Sequence, residues 1–124
     1  MTLRTGIDIV DHASFSRRAE RTKNDWKVAF LTETELRDVG DSIPRSAGRW
    51  AAKEAVMKAL GRGIGAVDLR DIEVLVVEDL PTVKLHRGAL ARAAELGLTE
   101  WSLSVSHTDN YTVAFVVATG GNSL

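Results

Sequence analysis

Asp8, Glu54, Lys58 and His107 are the side chains whose types and surroundings suit chemistry better than packing. Glu54 and Lys58 recur with Trp50 at four-residue intervals in Trp50-Ala51-Ala52-Lys53-Glu54-Ala55-Val56-Met57-Lys58. On a helix, that spacing puts an acid, a base and an aromatic ring on one face. Asp8 and Glu54 form a suitable pair for a hard cation. Mg²⁺ is typically held by one or two carboxylates, several waters and the oxygens of a phosphate substrate. The sequence does not show that the two carboxylates meet. On spacing alone, an exposed ion pair between Glu54 and Lys58, worth about 0.3–0.5 kcal/mol, is the simpler account. His107 shares strand parity with Trp101, Leu103 and Val105, which fits a histidine at the edge of the core. Its place beside Thr108-Asp109-Asn110 fits equally well a side chain projecting into a cleft.

Other chemistries are excluded by what is missing. His12, His86 and His107 lack the close spacing of a zinc site, and there is no cysteine for a thiolate site or a disulfide. Gly61, Gly63 and Gly65 follow the Trp50 segment instead of opening a helix. They match neither a P-loop nor a dinucleotide fingerprint, and they read as a helix C-cap and flexible exit.

The elements that must position these residues follow from local pattern. Residues 3–10 form a first strand with Asp8 set between Ile7 and Ile9, a poor place for aspartate by propensity. Asp11 is the better cap for the next helix, residues 12–22, whose inner side takes Ala13, Phe15 and Ala19. A short helix begins after Asn24 or Asp25 and runs to Leu31, and Thr32 with Glu35 makes a capping box for a turn of helix ended by Gly40. Pro44 suits the first turn of the central helix. That helix has Ala51, Ala52, Ala55 and Ala59 opposite its polar residues, so another element can pack close to it.

Residues 71–77 and 82–86 read as strands joined by a turn at Asp79-Leu80-Pro81, followed by a helix over 88–96 closed by Gly97. Residues 101–106 and 111–118 form a final hairpin. Both faces of the last strand are apolar, which points to burial by the core on one side and by a neighbouring subunit on the other. Helices early and strands late favour an α+β fold with an antiparallel sheet packed on a long central helix.

The 124 residues are one domain's worth, with a core over about 3–118, and 44% hydrophobic content supplies one modest core. No apolar run approaches the ~20 residues that span a membrane, and the start lacks a secretory pattern, so a soluble, cytoplasmic protein is expected. The formal net charge is −1, yet it is unevenly spread. Arg17, Arg18, Arg21, Lys23 and Lys27 face only Glu20 and Asp25, and Arg45, Arg49, Lys53, Lys58 and Arg62 face only Glu54. These two basic segments fit phosphates or an acidic partner.

Taken together, three blocks resemble the 4'-phosphopantetheinyl transferases, specifically the short holo-[acyl-carrier-protein] synthase type. They are Gly6-Ile7-Asp8-Ile9-Val10, the run from Arg49 through Lys53-Glu54-Ala55 to Lys58-Ala59 and Gly61, and Ser104-Val105-Ser106-His107-Thr108. The middle block is highly specific, and the match extends from about Leu3 to Ala118. One departure is Asp79-Leu80-Pro81, where members often carry Gly-x-Pro.

The resemblance implies transfer of the phosphopantetheine arm of coenzyme A to a serine of an apo acyl carrier protein, releasing 3',5'-ADP. Asp8 and Glu54 would hold Mg²⁺, and Lys58 would stabilise charge on the leaving group. Arg49, Lys58, Gly61, His107 and Thr108 would bind coenzyme A, with sites between the subunits of a homotrimer. The serine's base is a metal-activated water, or Glu54 or Asp8 acting through one. Carrier proteins of this kind are acidic, so Arg17, Arg18 and Arg21 are candidates for docking them. The competing reading is a non-catalytic module that binds an acidic protein or RNA. RNA is disfavoured by the near-neutral charge and by the lack of a basic-aromatic motif.

Overall fold

The computed structural model describes residues 1–23, 25–61 and 67–121, so Asn24, residues 62–66 (with Arg62, Gly63 and Gly65) and the last three residues lie outside the described residues. The chain runs β1 (Thr2–Asp11), α1 (His12–Arg21), α2 (Asp25–Phe30), α3 (Glu33–Val39) and α4 (Ile43–Ala59). After a single 3-10 turn (Leu69–Asp71) come β2 (Ile72–Val77), β3 (Leu80–Leu85), α5 (Arg87–Glu95), β4 (Glu100–His107) and β5 (Tyr111–Gly120). Among the described residues the strands make two antiparallel sheets, β1-β5-β4 and the hairpin β2-β3. The expected α+β architecture with antiparallel pairing holds, with two sheets in place of one.

Several local expectations are borne out. The Asp11 carboxylate accepts from the Ser14 amide at the start of α1, and Thr32 with Glu35 closes a full capping box on α3. Ser42 caps α4, with Pro44 in its first turn. Two expectations change. Ala13 is exposed while Phe15 and Ala19 are buried, because Ala13 lies two residues, about 200° of helix, from Phe15. The β2-β3 turn is Glu78-Asp79, both with positive φ (51° and 65°), and Pro81 lies within β3, paired with Val76. This is the twist that a two-residue hairpin requires, supplied here without glycine or asparagine.

The central helix is buried more completely than a two-faced reading predicts. From Ala51 to Met57 every residue is buried, including Lys53 and Glu54, while Lys58 is exposed. β1 and β5 pack along it. The small residues make this possible, and Gly6 sets the limit: a Cβ there would overlap the carbonyl oxygen of Ala55. Helix main chain thus rests directly on strand main chain. Gly6→Ala is expected to cost about 2–3 kcal/mol through forced separation of β1 from α4. Urea denaturation measures this, and an unchanged midpoint would show that the contact is not limiting.

The other face of β1-β5-β4 is open. Ile7 pairs with Phe115 and Ile9 with Val113 on that face, where Ile9 is 65% and Phe115 43% exposed. The expected burial of β5 on both sides is therefore met within the chain on one side only.

Candidate active site

β1 and α4 bring Asp8, Glu54 and Lys58 together. Gly6, Asp8 and Val10 alternate toward the helix, so the close approach at Gly6 carries Asp8 to the last turns of α4. The Lys58 Nζ donates to the Ile7 carbonyl at 2.7 Å and meets Asp8 Oδ1 at 3.2 Å. The expected Glu54–Lys58 surface pair is not what forms: Lys58 turns to Asp8 and Glu54 is buried. Burial, followed by the charge of Asp8, holds the Glu54 carboxyl above the ordinary carboxylate range, while Lys58 and Arg18 pull it back. Two carboxylates close enough to repel, one with a buried oxygen that has no partner (Glu54 Oε1), are a donor set short of positive charge. This fits a hard divalent cation that takes its remaining ligands from water and phosphate. Among the described residues no third acidic, His or Cys group joins them.

Arg49 and His107 meet elsewhere. They line a groove of about 430 Å³ between α4 and the strands β2, β3 and β4, together with Arg45, Val76 and Asp79. The Arg49 side chain approaches Asp38 at 3.7 Å, and its buried Nε has no hydrogen-bond partner. An unpaired buried guanidinium N–H beside a second arginine and a histidine suits an anion such as phosphate. Asp79, from the turn that departs from Gly-x-Pro, places a carboxylate on the same groove. Thr108 lies next to His107 at the β4-β5 turn, where its Oγ1 accepts from the Asn110 and Tyr111 amides and its hydroxyl proton stays available. Gly61 ends α4 with φ of +70°. The last carbonyls of the helix, those of Ala59 and Leu60, accept from the Nε atoms of Arg4 and Arg92.

The three arginines of α1 are not equivalent. All three are exposed, and Arg17 contacts the Ser14 hydroxyl. Arg18 lies over the rings of Trp26 (4.8 Å to the centroid) and Trp50 (5.6 Å). Those rings belong to an aromatic cluster with Phe15 and Phe30. The Arg18 guanidinium, on a residue that is itself exposed, thus stacks on these rings, and its charge reaches Glu54.

Sequence reasoning missed Lys53. Its Nζ is fully buried and donates to Glu35 Oε1 (2.7 Å), the Leu69 carbonyl (2.9 Å) and the Ile72 carbonyl. Glu35 in turn accepts from the Thr32 and Val74 amides. Burial draws the Lys53 pKa below the ordinary lysine range, against the pull of Glu35. The available signal was position: Lys53 stands three before Val56 and four before Met57, on the apolar stripe of α4.

Comparison with known proteins agrees with this geometry. The model of the 4'-phosphopantetheinyl transferase superfamily matches residues 4–116. A holo-[acyl-carrier-protein] synthase of Herpetosiphon aurantiacus is 40% identical over 124 residues, covering 94% of this chain and 98% of that protein. The crystal structure of Helicobacter pylori holo-[acyl-carrier-protein] synthase in complex with coenzyme A superposes with a TM-score of 0.84 at 30% identity, covering 93% of this chain and 99% of that one. The Neisseria meningitidis holo-[acyl-carrier-protein] synthase gives 0.83 at 34% identity, with 94% and 97% covered. No described helix is long and apolar enough to cross a membrane. With sequence, fold and the Asp8–Glu54–Lys58 cluster in agreement, the chain belongs to the 4'-phosphopantetheinyl transferase superfamily and groups within it with the holo-[acyl-carrier-protein] synthases.

Proposed function

We propose that this chain, acting as one catalytic domain over residues 1–124, transfers the 4'-phosphopantetheine arm of coenzyme A to a serine of an apo acyl carrier protein. The serine oxygen bonds to the phosphorus that carries the pantetheine, the anhydride P–O bond breaks, 3',5'-ADP leaves and the serine proton passes to a base. The observation that carries the reading is the electron-rich pair Asp8 and Glu54, with an orphaned Glu54 oxygen, beside Lys58. Asp8 and Glu54 would hold Mg²⁺, which there would supply positive charge to offset that of the pyrophosphate. Lys58, with a side chain 54% exposed, leaves Asp8 for the phosphates and stabilises the departing ADP. Arg49, His107 and Thr108 grip coenzyme A through its phosphates, and Gly61 admits it close to the end of α4.

One observation supports a homotrimer with sites between subunits. The apolar face holding Leu3, Ile7, Ile9 and Phe115 is open.

The test is the mass of an apo carrier protein incubated with this protein, coenzyme A and Mg²⁺. A gain of one phosphopantetheine supports transfer, and no gain with any of several carriers sinks it. The carrier docks on α1 through Arg17 and Arg21 by charge complementarity. Arg17→Glu with Arg21→Glu is expected to raise KM for the carrier about tenfold and leave KM for coenzyme A unchanged. Steady-state kinetics at two ionic strengths checks this, since added salt weakens such docking. Equal effects on both substrates would refute the assignment.

A further inference from the structure

His12 is used by none of the roles above, yet it joins α1 to the hairpin that carries His107 and Thr108 through three hydrogen bonds. Its backbone amide donates to the Asn110 carbonyl at 2.8 Å. Its ring reaches the Asp109 carbonyl through Nδ1 at 3.0 Å and the Thr112 hydroxyl through Nε2 at 2.6 Å. A carbonyl only accepts, so Nδ1 donates to Asp109, and in that tautomer Nε2 accepts from the Thr112 hydroxyl. Thr112 is 1% exposed and is the direct cross-strand partner of His107 in β4 and of Val10 in β1.

The internal shape of the turn is set by Thr108, whose amide also donates to the Tyr111 carbonyl. Nothing in those bonds fixes how the turn sits against the rest of the protein. The three bonds of His12 do, holding the turn at Asp109 and Asn110 and β5 at Thr112. We infer that His12 is a positioning residue for coenzyme A: it locks the β4-β5 hairpin to the start of α1 and so aims His107 and Thr108. The inference rests on the functional reading above. It also ties the helix on which the carrier docks to the hairpin that grips the coenzyme, through one imidazole.

A structural role and a positioning role are separable here. His12→Leu leaves the buried Thr112 hydroxyl unsatisfied, and Thr112→Val leaves the ring nitrogen without its donor, so each lowers the melting temperature. Replacing both removes both polar groups and restores much of that stability, while the directional bonds stay absent. The affinity for coenzyme A is measured by titration calorimetry, and transfer kinetics are run alongside.

The expected result is a Kd for coenzyme A raised about tenfold in His12→Leu and still raised about tenfold in the restabilised double variant, with kcat at saturating coenzyme within about twofold of wild type. Recovery of Kd together with melting temperature in the double variant would make the role structural only and overturn the inference. So would a Kd unmoved in both variants. A wild-type protein that neither binds coenzyme A nor modifies a carrier would overturn the functional reading itself, and this inference with it.

Discussion

Glu54→Gln is expected to lower transfer turnover by about 10²- to 10³-fold while making the metal-free protein more stable at neutral pH. The two effects have one origin. The Glu54 carboxyl is buried beside Asp8 and its pKa is raised, so its charged form is disfavoured in the folded state. For a group whose folded pKa lies above its unfolded value, the stabilising contribution is complete below the unfolded pKa, in the ordinary carboxylate range. It is lost as pH rises through the folded pKa. At neutral pH the charge is therefore a burden that glutamine lacks. Asp8→Asn lowers turnover similarly and relieves Glu54 of the same repulsion.

Two measurements check this together. Chemical denaturation from acid to neutral pH should show wild-type stability falling through the Glu54 transition, with that segment flattened in Glu54→Gln. Added Mg²⁺ should raise the wild-type melting temperature and leave Glu54→Gln nearly unmoved. If glutamine proves destabilising and Mg²⁺ stabilises both proteins equally, the pair is not the cation site.

The second large effect concerns Lys53. Lys53→Met is expected to destabilise by about 3–5 kcal/mol, since it strands Glu35 as a buried charge and frees the carbonyls of Leu69 and Ile72. The pair ties α3, α4, the 3-10 turn and β2 to a single ammonium. Replacing Glu35 with leucine as well recovers only part of the loss, because Glu35 also accepts from the Thr32 and Val74 amides. Equilibrium urea unfolding of the single and double variants measures both terms. A Lys53→Met loss under about 1 kcal/mol would mean that the pair contributes little.

The contrast between Glu54 and Lys53 shows what the sequence could convey. Local signals were legible: Asp11 ahead of α1, the Thr32–Glu35 capping box and the alanines of α4 all act within a few residues. Asp8 was legible as an anomaly, an acid in a strand. The identity of its partners was not, because Lys58 lies 50 residues away, and pairing at that range is fixed only when β1 meets α4. The same holds for Glu35 with Lys53, 18 residues apart, and for His12 with Thr112, 100 apart. The sequence puts the turn at Asp79-Leu80-Pro81, one residue beyond Glu78-Asp79, since proline is the stronger turn signal and glutamate is an unusual residue at positive φ. The stacking of Arg18 on Trp26 and Trp50 was not legible, because those rings are scattered along the chain.

The contact of Gly6 with the Ala55 carbonyl makes the gap between strand and helix a property of two main chains, with no side chain in between. Asp8 sits two residues from one of those contact points and Glu54 one residue from the other. Substitutions elsewhere in the core, at Val56 or Met57, can change packing volume without altering that gap. The separation of the two carboxylates is then insulated from the drift of the surrounding hydrophobic residues. Such a protein can change much of its interior over evolutionary time, or in a laboratory selection for heat tolerance, and keep the spacing of Asp8 and Glu54. Gly6 is the position at which that freedom ends.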